Sequence, residues 1–172
     1  NVSIVFPSGI IGPGDVSGGS FTSMAKSFLA GKLPFAVRGG YDFVDVRDVA
    51  KGILACAESG EPGKGYILSG HYITIRRMLR IVGKAAKLIY RPICLPLKLA
   101  RLAAPYCERR CLKEKKTLFF TPYSIAVLGS NGRFTHDAAS ERFAYRPRPI
   151  EETLRDMTAW LVSRNAKAGS AP

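Results

Sequence analysis

Glycines at positions 12, 14 and 18 spell G-x-G-x-x-x-G behind the short apolar run of NVSIVFPSGIIGPGD. A glycine-rich turn between a strand and a helix is the arrangement that holds a pyrophosphate on backbone N–H groups. The spacing here argues against that use. Such a loop needs its first glycine at the end of the strand, whereas Pro7 to Ile11 separate Phe6 from Gly12, and Pro13 removes a donor where donors are wanted. The acidic residue that would serve a ribose is Asp42, which lies inside YDFVDV rather than at the end of a second buried strand. No G-x-x-x-x-G-K-[ST] occurs, so a P-loop is excluded. Taken alone, Gly9, Gly12 and Gly14 read as turn formers.

The other chemistry-bearing residues are scattered. Cys56, Cys94, Cys107 and Cys111 lack C-x-x-C spacing, and His71 and His136 are distant from them in sequence, so the cysteines read as free thiols and no metal site is expected. The net charge of +13 is concentrated: between Arg76 and Lys116 thirteen Lys and Arg face only Glu108 and Glu114. Three readings of that segment stay open. It is an electropositive mouth for an anionic substrate such as a nucleotide-sugar or acyl carrier. It is a peripheral membrane contact, since ICLPLKLARLAAPYCERR mixes Leu, Ile and Tyr with Lys and Arg as interfacial helices do. Or it is a solvated basic face. Nucleic acid is disfavoured as a partner, because neither a reader motif nor an aromatic stacking platform accompanies the charge.

The elements that must position these residues follow from periodicity. Residues 2–6 read as a buried strand stopped by Pro7, and FTSMAKSFLAGKLPF as a helix halted at Gly31. YDFVDV reads as a strand, with Asp48 capping a helix through VAKGILACAES, and GKGYILSG as a further strand. Thr74 caps a helix over 75–87. Pro92, Pro96 and Pro105 divide the basic region into short helical pieces. Helices over 122–128, 136–143 and IEETLRDMTAWLVSRN complete the chain. The 172 residues hold a sizeable core, no apolar run approaches the roughly 20 residues that cross a bilayer, and the chain reads as cytoplasmic. The opening at Asn1, directly on a strand-like run, suggests a chain that begins within a larger fold.

FPSGIIGPGD, YDFVDVRDVAKGILACAE, GKGYILSG and YRPRPIEETLRDMTAWL, in that order and spacing, resemble the C-terminal half of the extended short-chain dehydrogenase/reductase superfamily. Within it the resemblance is to NAD-dependent epimerase/dehydratases and to the branch of 3β-hydroxysteroid dehydrogenases and dihydroflavonol reductases. The resemblance implies an α/β fold: the last strands of a Rossmann-type parallel sheet plus a mainly helical C-terminal substrate-binding cap. It divides the chain into 1–70 as the C-terminal part of the Rossmann-like domain with a substrate-loop insertion, 71–166 as the helical substrate-binding lid region, and 167–172 as a disordered tail. It implies NAD or NADP, bound mainly by an N-terminal segment with G-x-x-G-x-x-G and a catalytic Tyr-x-x-x-Lys, neither of which is in this sequence. Pro7, Ser8 and Gly9 fall at the nicotinamide, and Ile11, Arg38 and Arg146 on the substrate side. No catalytic residue is assigned to this chain.

The function so implied is hydride transfer at an alcohol or ketone carbon of a sugar-nucleotide, steroid-like or flavonoid-like small molecule. The partners implied are that substrate, the N-terminal Rossmann half of the same protein, and a second copy in a homodimer. By itself the chain is expected to be inactive, to bind NAD(P) weakly or not at all, and to expose the apolar edge where sheet partners belong, and so to associate or aggregate. The alternative is a non-catalytic module on the same scaffold, holding an anionic lipid, a membrane surface or a protein partner.

Overall fold

A computed structural model describes residues 2–113, 121–130 and 132–169, with side chains left out of the description at 107–113 and 165–169. The strands are β1 (Ile4–Pro7), β2 (Gly9–Ile11), β3 (Phe35–Val37), β4 (Gly40–Asp45), β5 (Gly65–Leu68), β6 (His71–Thr74) and β7 (Ile93–Leu95). The helices are α1 (Ser20–Leu29), α2 (Val46–Ser59), α3 (Ile75–Ala85), α4 (Leu97–Lys113), α5 (Pro122–Leu128), α6 (Asp137–Phe143) and α7 (Ile150–Gly169). The pairings β1–β5, β2–β4 and β3–β7 are all parallel, and β4 lies between β2 and β6. This is the α/β class with parallel strands that the sequence implies.

The chain folds into two compact units, each discontinuous in sequence: 1–14, 42–72 and 133–172 form the first, and 15–41 and 73–132 the second. The 15–41 segment joins the later helices because α1 packs on α3 and β3 pairs with β7, while α6 returns to α2 and β5.

In the first unit, β1 and β5 bury one face only. Val5, Tyr66 and Leu68 pack with Val44, Val49 and Ala139 into a core, and Gly52 lies so close that an added Cβ would meet Leu68 Cδ1 at 2.8 Å. The opposite face presents Ile4, Phe6 and Ile67, which are 52%, 54% and 40% exposed. The strand that reads as buried is therefore half uncovered, because parallel strands are usually sheltered on both faces and nothing among the described residues covers this one. Asp45, extended and fully buried, starts α2 by accepting from Arg47 N–H at 2.8 Å. The cap is Asp45 rather than Asp48, which lies in the first helical turn.

In the second unit Thr74 Oγ1 accepts from Arg77 N–H at 3.3 Å and starts α3, whose Ile75, Met78, Leu79 and Val82 are buried. The helix stops two residues short of expectation, at Ala85, and Lys87 then takes a left-handed φ of 55°. Two proline expectations separate. Pro96 precedes α4, but Pro105 lies inside it without ending it. Its missing N–H costs one intrahelical bond, while the neighbouring Ala100 and Ala104 are packed against Val37 and Ile125. Residues 9–11, expected as loop, form β2. Helix α7 runs to Gly169, into the stretch expected to be disordered, and residues 170–172 lie outside the described residues. So do the side chains of Cys107 and Cys111, whereas Cys56 and Cys94 are free thiols.

Candidate functional site

The segment Pro7–Gly12 leaves the carboxyl end of β1, the end of a parallel sheet at which ligands of α/β folds bind. Ser8 sits between β1 and β2, held by its N–H donating to Leu68 O at 3.3 Å. Its Oγ is buried and has no hydrogen-bond partner among the described residues. A buried hydroxyl without a partner costs about 1–3 kcal/mol, and Thr153 Oγ1 is likewise without a partner among the described residues. Gly9 pairs with Phe43 in the β2–β4 register, and an added Cβ there would meet Phe43 Cδ1 at 2.8 Å and Asp42 O at 3.1 Å. Gly12, at φ +150°, would place a Cβ at 2.8 Å from Val46 Cγ1. The glycines let β2 and the start of α2 come together.

The phosphate-cradle reading fails on its donors. In the second unit, the N–H groups of Gly18 and Gly19 donate to the Asp15 carboxylate at 2.9 and 2.8 Å, and Ser17 Oγ donates to it at 3.0 Å. The Thr22 hydroxyl and these donors hold the Asp15 pKa below the ordinary carboxylate value. The amides at the start of α1 are thus already occupied by an anion of this chain.

Two buried carboxylates of the first unit are held by Arg148. Its N–H and its guanidinium both reach Asp48: N to Oδ2 at 2.8 Å, Nε to Oδ2 at 3.0 Å and Nη2 to Oδ1 at 2.9 Å. Nε also lies 3.5 Å from Asp45 Oδ2, and Nη1 donates to Glu152 at 3.2 Å. Burial disfavours the charged form of Asp45, but the hydrogen bonds from Arg47, with the charge of Arg148, outweigh it and its pKa lies below the ordinary value. Hydrogen bonding to Asp48 holds the Arg148 guanidinium protonated. Arg148 is therefore a structural lock, neither a solvated residue nor one free for substrate. A pairing across 100 residues leaves no local pattern, so reading the sequence could not find it.

A hydroxyl–imidazole contact also forms. Ser69 Oγ lies 2.9 Å from His136 Nδ1, and Tyr145 donates from its hydroxyl to Ser69 O at 3.3 Å. Ser69 is fully buried, and among the described residues no carboxylate touches the second imidazole nitrogen, so this is not a nucleophile–base pair of the triad kind. Burial first, then the charges of Asp48, Asp42 and Asp45, push the Tyr145 phenol pKa well above its ordinary value and keep it neutral. Asp42 is equally structural, accepting from Gly70 N–H at 2.8 Å.

Of the residues singled out from the sequence, Pro7, Ser8, Gly9 and Ile11 lie together on one strand–turn–strand segment, with Ile11 buried beside Asp45 in the β2–β4 register. Arg146 is exposed in the same unit, on the turn before α7. Arg38 belongs to the second unit, where its N–H donates to Leu95 O at 2.9 Å and its side chain is exposed. No group of three or more His, Cys, Asp or Glu suited to a metal is found among the described residues. None of their helices is long and apolar enough to cross a membrane.

No family model matches the chain. It is 28% identical over 168 residues to sterol demethylase protein B of Methylococcus capsulatus, a match covering 95% of this chain and 51% of that protein. The crystal structure of gox2253 superposes with a TM-score of 0.76 at 27% identity, over 94% of this chain and 49% of that one. A nucleoside-diphosphate-sugar epimerase from Pseudomonas aeruginosa superposes with a TM-score of 0.72 at 19% identity, over 95% and 48%. Further structures matched over similar shares are complexes with NADPH or NAD. The chain thus spans about half the length of the relatives it matches. Parallel strands with an end-of-strand loop after β1, together with these matches, lead to one conclusion: the chain is similar to the C-terminal halves of extended short-chain dehydrogenase/reductases and shares their Rossmann-type fold.

Proposed function

We propose that this chain is the substrate-binding C-terminal portion of an NAD(P)-dependent oxidoreductase, epimerase or dehydratase acting on an alcohol or ketone carbon of a small molecule. The observation that carries the reading is the buried, partnerless Ser8 hydroxyl at the carboxyl end of β1. It fits a cofactor amide or a substrate oxygen brought against that loop, and Pro7 and Gly9 leave the loop narrow enough for close approach. NAD(P), when bound, supplies the hydride acceptor or donor. The chain's own residues bind and orient: Pro7, Ser8 and Gly9 form one wall beside the ring, and Ile11, Arg38 and Arg146 serve the substrate.

The bare face of β1 and β5 supports a partner, the N-terminal Rossmann half of the same protein, covering Ile4, Phe6 and Ile67. Catalytic acid–base chemistry near neutral pH is assigned to that half, because of the two buried phenols described here Tyr145 is pushed well above its ordinary pKa and Tyr66 is packed in the core, its hydroxyl accepting from Glu61 N–H. The test is made on the protein encoded by the whole reading frame. Ser8→Ala is expected to weaken NAD(P)H binding or to lower kcat several-fold with the cofactor-free melting temperature kept or raised. Unaltered affinity and turnover would remove Ser8 from the site. The isolated chain is expected to show no turnover, and micromolar NAD(P)H affinity in calorimetry would contradict the proposed division of labour.

A further inference from the structure

The net charge of +13 is not shared between the two units. The first carries ten Lys and Arg against ten Asp and Glu; the second carries sixteen against three, so the whole excess sits on the second. Within that unit a cleft of about 780 Å³ opens beside α3, a size that suits a small molecule. One wall is the α3 face bearing Arg76, Arg80 and Lys84, each one turn above the last, and Arg38 and Arg91 complete a cationic rim.

Like charges at i,i+4 on a helix repel one another, and none of these five cations forms an ion pair among the described residues. Asp15 is the sole acidic residue of this unit whose side chain is described, and it is occupied at the start of α1. Between the cations the lining is apolar. Phe28 and Leu79 are buried at the floor, while Ile89, 92% exposed, stands on the 88–92 segment. Tyr90 is fixed by donating to Leu33 O and by its tilted ring contact with Phe28, at 5.8 Å between centroids. A solvated basic face needs neither a concavity nor an apolar floor. Free inorganic phosphate would use the cations and leave that floor in water.

We infer that this cleft binds an amphiphile: a phosphate or carboxylate head held by Arg38, Arg76, Arg80, Lys84 and Arg91, on an apolar body laid against Leu79, Ile89 and Tyr90. The assignment goes beyond the proposed function and shares only Arg38 with it; binding is read without cofactor or turnover, and the variants that test it leave Arg38 in place, so either can fail while the other stands.

The test is calorimetric titration of the chain with dodecyl phosphate below its micellar concentration, in parallel with inorganic phosphate and with neutral dodecyl maltoside. Dodecyl phosphate is expected to bind at least tenfold more tightly than either. Arg80→Gln with Lys84→Gln is expected to weaken it tenfold or more, with helical content and melting temperature kept. Lys98→Gln with Arg101→Gln, which removes the same charge from exposed positions on α4, is expected to change affinity less than threefold. Equal loss from both pairs of substitutions would reassign the binding to a diffuse field and overturn the cleft. Equal affinity for inorganic phosphate would overturn the amphiphile. Binding confined to phosphatidylglycerol vesicles, with no response to the soluble probe, would replace the cleft with a membrane-contact surface.

Discussion

Arg148→Met is the perturbation that most sharply tests the account of the first unit. The substitution keeps the stem of the side chain and removes the guanidinium that reaches Asp48 at 2.9 and 3.0 Å, Asp45 at 3.5 Å and Glu152 at 3.2 Å. Asp48 and Asp45 have side chains 7% and 0% exposed. Stripping one partner from a buried pair costs about 3–5 kcal/mol. Two features lower that figure here: Arg148 is itself 16% exposed, and Asp45 keeps Arg47 through contacts at 2.7 and 2.9 Å. An expected loss of about 2–3 kcal/mol follows. With a urea dependence of about 2 kcal/mol per molar, the midpoint should fall by about 1–1.5 M. Trp160 fluorescence reads the transition, since Trp160 lies on α7 in the same unit. Arg148→Met with Asp48→Leu removes the stranded charge and should recover at least half of the loss. A single-variant cost below about 1 kcal/mol, the range of exposed ion pairs, would refute the lock.

Three further outcomes are expected. Gly70→Ala should prevent stable folding of the first unit, because its Cβ would stand at 2.1 Å from Phe43 O and 2.8 Å from Val44 Cα; a soluble variant with native circular dichroism would contradict this. Thr74→Ala should lower stability by about 1 kcal/mol through loss of the α3 cap, read as a lower denaturation midpoint; Thr74→Ser should restore it. Because folding raises the Tyr145 pKa, its contribution is complete below the ordinary phenol value and is lost as pH climbs past it. The difference in stability between the parent chain and Tyr145→Phe should therefore shift against the parent by about 1.4 kcal/mol per pH unit above that value, and a pH-independent difference in alkaline denaturation would show the phenol to be solvated.

What was legible in the sequence was whatever is written locally. A β-branched run marked β1, alternation marked β4 and flanking glycines marked β5, while Thr74 marked the α3 start and a glycine at 31 the α1 stop. The order of four short segments carried the family. Illegible was whatever depends on tertiary neighbours. Pro105 stays inside α4, whose Ala100 and Ala104 are buried against Ile125, and Asp45 caps α2 because the helix begins at Val46, which leaves Asp48 in the first turn, where Arg148 binds it. β2, β3, β6 and β7, at three or four residues each, are too short to show a period. The candidate loop was found through resemblance, while the partnerless state of the Ser8 hydroxyl emerged only from packing. The basic segment was plain as a run of charge, but its convergence with Arg38 on one cleft depends on β3 and β7 lying side by side.

The central claim is that this chain works as the C-terminal half of an extended short-chain dehydrogenase/reductase. The most direct measurement is to sequence the transcript upstream of the codon for Asn1. The account predicts an in-frame segment carrying G-x-x-G-x-x-G followed by Tyr-x-x-x-Lys. A stop codon at that position, or an unrelated domain joined there, would contradict it.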